Sequence, residues 1–89
     1  MKDRYLEVTY RKGKPLAAYL YLARKPRAKS VRTERASDTI LVDYGAEEEP
    51  IGIEITAPAQ VTVKEINEVL QSLGQALLGP DELAPLAAA

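Results

Sequence analysis

The chain has 89 residues, the length of one small domain with a narrow margin of stability. It contains no cysteine and no histidine, which excludes disulfides, thiolate chemistry and the commonest general base and metal ligand. The formal net charge of −1 hides an asymmetry, since residues 1–35 carry eleven basic and three acidic side chains, whereas residues 36–89 carry one basic and ten acidic side chains.

The first two predicted strands form a hairpin. Residues 5–11 and 16–23 alternate between apolar and polar positions, and residues 12–15 (KGKP) supply the glycine and proline of a turn. One register satisfies both strands. It pairs Tyr10 with Leu16, Val8 with Ala18 and Leu6 with Leu20 on one face, and Thr9 with Ala17, Glu7 with Tyr19 and Tyr5 with Tyr21 on the other.

Three further strands are predicted at residues 30–35, 39–44 and 51–55. The inward positions are Val31 and Thr33 in the third strand, Ile40, Val42 and Tyr44 in the fourth, and Ile51, Ile53 and Ile55 in the fifth. The last two strands form a second hairpin, in which Tyr44 is expected opposite Ile51, Val42 opposite Ile53 and Ile40 opposite Ile55.

One helix follows the strands. Thr62 is a good N-cap, and Glu65 three residues later completes a capping box. The apolar stripe at helical spacing consists of Val63, Ile66, Val69, Leu70, Leu73 and Leu77. Gly74 is expected inside this helix, which Gly79 and Pro80 end.

These elements predict a small α+β domain over residues 1–79, with a short tail at 80–89. Its five-strand antiparallel sheet packs the amphipathic C-terminal helix on one face. That face carries Leu6, Val8, Leu20, Val31, Val42 and Ile53. The opposite face keeps Tyr5, Ala17, Tyr19, Tyr21 and Leu41 among charged residues.

Four segments carry a family resemblance: the tyrosine-rich residues 18–22, the Val-Arg-Thr-Glu of 31–34, the run 40–44 that ends in Asp-Tyr, and the Gly-Ile-Glu-Ile of 52–55. Together they resemble domain of unknown function family 2283, a family of small bacterial proteins, over residues 5–57. The resemblance implies a small α+β fold with an antiparallel sheet. It implies no established activity, catalytic residue or cofactor, and it suggests that some members are partners of small toxin-like proteins.

Two acidic groups are candidate chemical sites. Asp43 and Glu54 are expected as diagonal neighbours on adjacent strands, where paired carboxylates can act as acid and base. Without a cleft, and with Arg32 or Arg35 able to neutralise them, a solvated charge network is favoured. Residues 47–49 are consecutive glutamates, which lack the ligand spacing of a calcium loop. We therefore expect a protein that is not an enzyme, with no catalytic residue, no cofactor and no metal site.

The basic segment 24–35 is a candidate anion or nucleic-acid contact. Its cations are Arg24, Lys25, Arg27, Lys29, Arg32 and Arg35. Clustered cations bind phosphates, and nearby tyrosines can stack on bases. The acidic isoelectric point of about 5.4 and the lack of a recognised nucleic-acid motif argue against this reading.

The outer sheet face is a candidate protein interface. Its residues are Tyr5, Tyr19, Tyr21 and Leu41. Tyrosine is enriched in interfaces, although these rings could instead cover Ala17 and the stems of basic side chains. We expect a homodimer that meets by the sheet face or by strand edges, and the sequence does not decide between the two.

Together these observations predict a small non-enzymatic protein-interaction or scaffold module with a possible further protein partner. The alternative is a nucleic-acid-binding or toxin-partner regulatory protein that uses segment 24–35. No apolar run approaches the roughly 20 residues of a membrane span, and no secretory apolar region follows the charged first residues. We therefore expect a cytoplasmic protein, of bacterial type, that does not contact the membrane.

Overall fold

The computed structural model describes residues 5–22 and 29–79 and confirms the α+β class. It contains five strands and one helix within these residues. They are β1 (Tyr5–Arg11), β2 (Lys14–Tyr21), β3 (Arg32–Arg35), β4 (Ile40–Tyr44), β5 (Pro50–Ile55) and α1 (Val63–Ser72). The predicted tail at 80–89 lies outside the described residues.

The strands form one antiparallel sheet in the order β1-β2-β5-β4-β3. β5 is therefore the central strand and joins the β1–β2 hairpin to the β4–β3 half of the sheet. Within the described residues, β1 and β3 are the two edges.

The predicted β1–β2 register is confirmed from Tyr5 to Thr9 and fails at the turn. Tyr10 lies opposite Pro15, not Leu16, because a bulge places Leu16 as an extra residue on β2. The two turn residues both have positive φ, 55° at Lys12 and 77° at Gly13, as in a type I′ hairpin turn.

The β4–β5 register shows the same kind of error. Val42 lies opposite Ile53 and Ile40 opposite Ile55, as predicted. Tyr44 lies opposite Pro50 because a second bulge leaves Ile51 as an extra residue. Ile51 is nevertheless buried, so the bulge keeps this residue in the interior.

The face predicted for β3 is wrong. Val31 is 65% exposed and precedes the strand, and the Thr33 hydroxyl donates to Asp43 on the outer face. In the observed register Glu34 lies opposite the buried Val42, so Arg32 and Glu34 share the helix-side face. An edge strand outside the core does not need an apolar face. The alternation of apolar and polar residues therefore does not predict which face of such a strand points inward.

The helix begins as predicted and ends earlier. The Glu65 amide donates to Thr62 Oγ1 at 3.1 Å, and the Thr62 amide donates to Glu65 Oε1 at 3.3 Å, which completes the capping box. The helix ends at Ser72 because Gly74 (φ 73°) takes the left-handed position that follows it. The prediction that Gly74 lies inside a helix running to Gly79 is wrong.

The core lies between the helix and the sheet. It consists of Leu6, Ala18, Leu20, Leu22, Ile40, Val42, Ile53, Ile55, Ile66, Leu70 and Leu78. Leu78, not the predicted Leu77, reaches the core, since its amide donates to Asn67 Oδ1 at 2.8 Å and folds the chain back along α1. Leu77 and Val63 remain exposed.

No helix among the described residues is long and apolar enough to cross a membrane.

Candidate functional site

The register places the predicted interface residues on one outer sheet face. Tyr19 lies opposite Glu7 on β1 and Glu54 on β5, and Leu41 lies opposite Glu54. Tyr5 takes the register position opposite Tyr21; its side chain is outside the description. Tyr19, Tyr21 and Leu41 are each half-buried, so the outer face is partly covered by its own side chains.

The two tyrosines of β2 contact each other. Their ring centroids lie 4.7 Å apart at an interplanar angle of 63°, an edge-to-face arrangement. The Tyr21 hydroxyl donates to Glu7 Oε1 at 3.1 Å on the neighbouring strand. Through these contacts, the aromatic pair helps to hold β1 and β2 together.

The Tyr19 phenol crosses the central strand above Gly52. Its hydroxyl donates to Asp43 Oδ2 at 2.7 Å, so the side chain spans from β2 over β5 to β4. A Cβ atom at residue 52 would collide with the Tyr19 phenol. Glycine in the middle of this strand is therefore required by the close approach of an aromatic ring.

Asp43 joins this phenol to the β3 edge. Its second oxygen, Oδ1, accepts a hydrogen bond from the Thr33 hydroxyl at 2.6 Å. Both carboxylate oxygens thus accept hydrogen bonds from neutral hydroxyl groups. The sequence predicted Asp43 and Glu54 as diagonal neighbours, and the register confirms this, but it missed Tyr19 and Thr33 as partners. A tyrosine near a mid-strand glycine is the signal that could have revealed the first of them.

The two arginines expected beside this carboxylate have other partners. The Arg32 guanidinium lies 4.2 Å from the centroid of the Tyr44 ring and forms ion pairs with Glu34 and, at 3.3 Å, with Glu48. The Arg35 guanidinium donates to the carbonyl oxygens of Ser37 at 3.3 Å and Asp38 at 3.0 Å.

The candidate anion contact is only partly described. Arg24, Lys25 and Arg27 lie outside the described residues, and Lys29 is exposed. Arg32 and Arg35 lie on opposite faces of β3, because their positions differ by three along a strand. These two cations therefore do not form one patch.

The glutamate run forms a tight turn after β4. The Glu49 carboxylate accepts a hydrogen bond from the Glu47 amide at 3.0 Å, and Glu48, at φ 64°, pairs with Arg32. Across residues 5–22 and 29–79, no group of three acidic side chains is positioned to hold a metal ion.

An open groove of about 400 Å³ lies between α1 and the β3–β4 turn. Glu65, Glu68 and Ser72 line its helix side, and Ser37 lines the other. Glu65 is already engaged in the capping box, so the groove contains little polar chemistry that is free to bind a ligand.

Near its turn, the first hairpin exposes one apolar side chain on β1 and one on β2 that the sequence did not single out. Tyr10 is 47% exposed and Leu16 is 52% exposed at the turn end of the first hairpin. Val8, on the same face as Leu6 and Tyr10, is half-buried and packs against the core. β1, an edge among the described strands, thus presents Tyr10 as an exposed apolar side chain.

Comparison with known proteins matches part of the chain to a family model. Residues 17–57 match the model of a family described as "Protein of unknown function (DUF2283)". Neither the curated proteins nor the solved structures provide a match. The matched segment includes Tyr19, Thr33, Asp43 and Gly52, while β1 and α1 lie outside it. The chain therefore resembles the DUF2283 family over residues 17–57, as its sequence predicts.

Proposed function

We propose that this protein is a small non-enzymatic interaction module that works as a homodimer. The observation that carries the proposal is the β1 edge, where Tyr10 is 47% exposed beside the half-buried Val8. Among residues 5–22 and 29–79, no strand pairs with the outer side of β1. Apolar side chains along an unpaired strand mark contact sites, because both the side chains and the backbone groups of that edge gain partners on association.

The outer face supports a structural role for its carboxylates. Both Asp43 oxygens accept hydrogen bonds from hydroxyl groups of the sheet. Each oxygen keeps a further acceptor site, but the two bonds join Asp43 to β2 and β3, which is the arrangement expected of a carboxylate that holds strands together. Glu54 on the neighbouring strand has no hydrogen-bonded acid or base among the described residues that would make the two a catalytic pair.

The outer-face residues Tyr19, Tyr21 and Leu41, with Tyr5, are the competing dimer interface. Two of the rings already bond within the sheet, Tyr19 to Asp43 and Tyr21 to Glu7. A partner on this face would gain less than one at β1, because much of the aromatic surface is covered in the single chain.

Light scattering after size exclusion tests the proposal. The chain mass is 9.8 kDa, and we expect twice this value at about 100 μM, well above a micromolar dissociation constant. A single-chain mass at this concentration would overturn the homodimer.

Nucleic-acid binding through segment 24–35 is the alternative function. A mobility-shift experiment separates it from the interaction module. A nucleic-acid protein would shift labelled DNA or RNA at low salt and release it as salt rises. We expect no shift. A salt-sensitive shift that is lost on replacing Lys29 and Arg35 by glutamine would favour the alternative over the interaction module.

A further inference from the structure

We propose that β1 pairs antiparallel with β1 of a second copy, about a two-fold axis at Val8, to form one continuous ten-strand sheet. This inference rests on the proposed homodimer and assigns its contact surface. It names a second copy of the same chain, in one register, as the partner of this edge, which pairs on its outer side with no other described strand.

The backbone N–H and C=O groups of β1 point in the direction that this pairing requires. In a two-residue type I′ hairpin, the residues that flank the turn exchange hydrogen bonds, here Arg11 and Lys14. Tyr10 lies opposite Pro15, which has no N–H to donate. Since bonded and non-bonded positions alternate, the N–H and C=O groups of Leu6, Val8 and Tyr10 point away from β2.

Symmetry limits the possible registers. A two-fold axis perpendicular to the sheet keeps the helix side of both copies together, so one residue must lie opposite itself. A centre at Glu7 sets two carboxylates against each other, which is destabilising. A centre at Thr9 gains a Glu7–Arg11 pair but sets Leu6 against Lys12 of the turn.

A centre at Val8 uses the whole strand. On the helix side it sets Val8 against Val8 and Tyr10 against Leu6 of the second copy. On the outer side it sets Glu7 against Thr9, with no like charges opposed. The pairs Leu6–Tyr10, Val8–Val8 and Tyr10–Leu6 are then the hydrogen-bonded ones, which satisfies every outward-pointing backbone group between residues 6 and 10.

Single-cysteine variants test this register directly, because the chain has no cysteine of its own. We would prepare the full chain as Glu7→Cys, Val8→Cys and Thr9→Cys and oxidise each mildly. Opposed residues in a hydrogen-bonded pair have Cα atoms about 5.5 Å apart, within the range that a disulfide bridges. We expect Val8→Cys to give the cross-linked dimer, and a mixture of Glu7→Cys with Thr9→Cys to give the mixed one.

The outcomes separate this inference from the proposed function. Preferential cross-linking of Glu7→Cys or of Thr9→Cys alone would overturn the Val8 centre. A wild-type dimer in which none of the three cross-links would overturn the β1 edge and leave the homodimer standing. A monomeric wild type would overturn both.

A second pair of variants guards against misfolding at Val8. Tyr10→Glu changes an exposed side chain and, in the proposed dimer, buries a carboxylate against Leu6 of the second copy, so we expect the dimer dissociation constant to rise by about tenfold or more. Val31→Glu is the matched control at the other edge and should leave the constant unchanged. Dissociation by Val31→Glu with no effect of Tyr10→Glu would place the contact at β3 and overturn the inference.

Discussion

The two edges of this sheet are built differently. β1 has seven residues, and its helix-side positions are Leu6, Val8 and Tyr10. β3 has four residues and places Arg32 and Glu34 on the same side. Short edge strands and inward-facing charges discourage pairing with another chain. The composition of β3 therefore disfavours pairing with another strand, whereas β1, an edge among the described strands, has neither of these two features.

The edges are also held to the sheet by different forces. β1 is attached by apolar packing, with Leu6 only 6% exposed in the core. β3 is attached by polar contacts, from Thr33 to Asp43 and from Arg35 to the carbonyl oxygens of the following turn. Apolar burial stabilises more than exposed polar contacts do, so β1 should be the firmer of the two.

The largest expected effect comes from truncating the packed edge. Leu6→Ala should lower the free energy of unfolding by about 2–3 kcal/mol, because it leaves a cavity in the core. Thr33→Val, the counterpart at β3, should cost less than about 1 kcal/mol, since it removes one exposed hydrogen bond. Urea unfolding at one low protein concentration measures both. Equal losses would contradict the contrast between the edges.

An intermediate effect is expected at the strand between them. Gly52→Ala should cost about 1–3 kcal/mol, because the added methyl group displaces the Tyr19 phenol from Asp43. The same substitution in a Tyr19→Ala background should cost much less, since the clash is gone. Thermal unfolding of the four proteins gives the coupling. Additive losses would show that the phenol does not occupy the space above Gly52.

The smallest effect is a stabilisation of the first hairpin. Lys12 has φ 55°, a conformation that asparagine adopts more readily than lysine. Lys12→Asn should therefore raise the free energy of unfolding by about 0.5 kcal/mol and leave β3 unaffected. Lys14→Asn, on the strand side of the turn, is the control. A loss of stability in Lys12→Asn would show that the lysine side chain itself is needed there.

The sequence predicted the strands, the two hairpins and the capping box, because each depends on local patterns. It missed the bulges at Leu16 and Ile51. Alternation indicates which face a residue occupies, but it does not reveal an extra residue in one of two paired strands. It did not give the strand order, because the β2–β5 pairing joins segments far apart in the chain. It also predicted the wrong face for β3. Val31 and Thr33 alternate with charged residues there, but neither face of this strand is buried.

The site was less predictable than the fold for the same reason. The Tyr19–Asp43 bond and its passage over Gly52 depend on β5 lying between β2 and β4. The early end of α1 was readable in principle, since Gly74 can end a helix as readily as Gly79. The exposure of Tyr10 at a sheet edge could be recognised only once the strand order was known.

Residue-resolved amide hydrogen exchange of the full chain, at concentrations below and above the dimer dissociation constant, tests the contrast between the edges most directly. The Ala36 amide donates to the Ile40 carbonyl, so by alternation the Thr33 and Arg35 amides point away from β4 as those of Leu6, Val8 and Tyr10 point away from β2. We predict that protection at Leu6, Val8 and Tyr10 rises with concentration, while exchange at Thr33 and Arg35 stays unchanged. Concentration-dependent protection at Thr33 and Arg35, with none at Val8, would contradict the account.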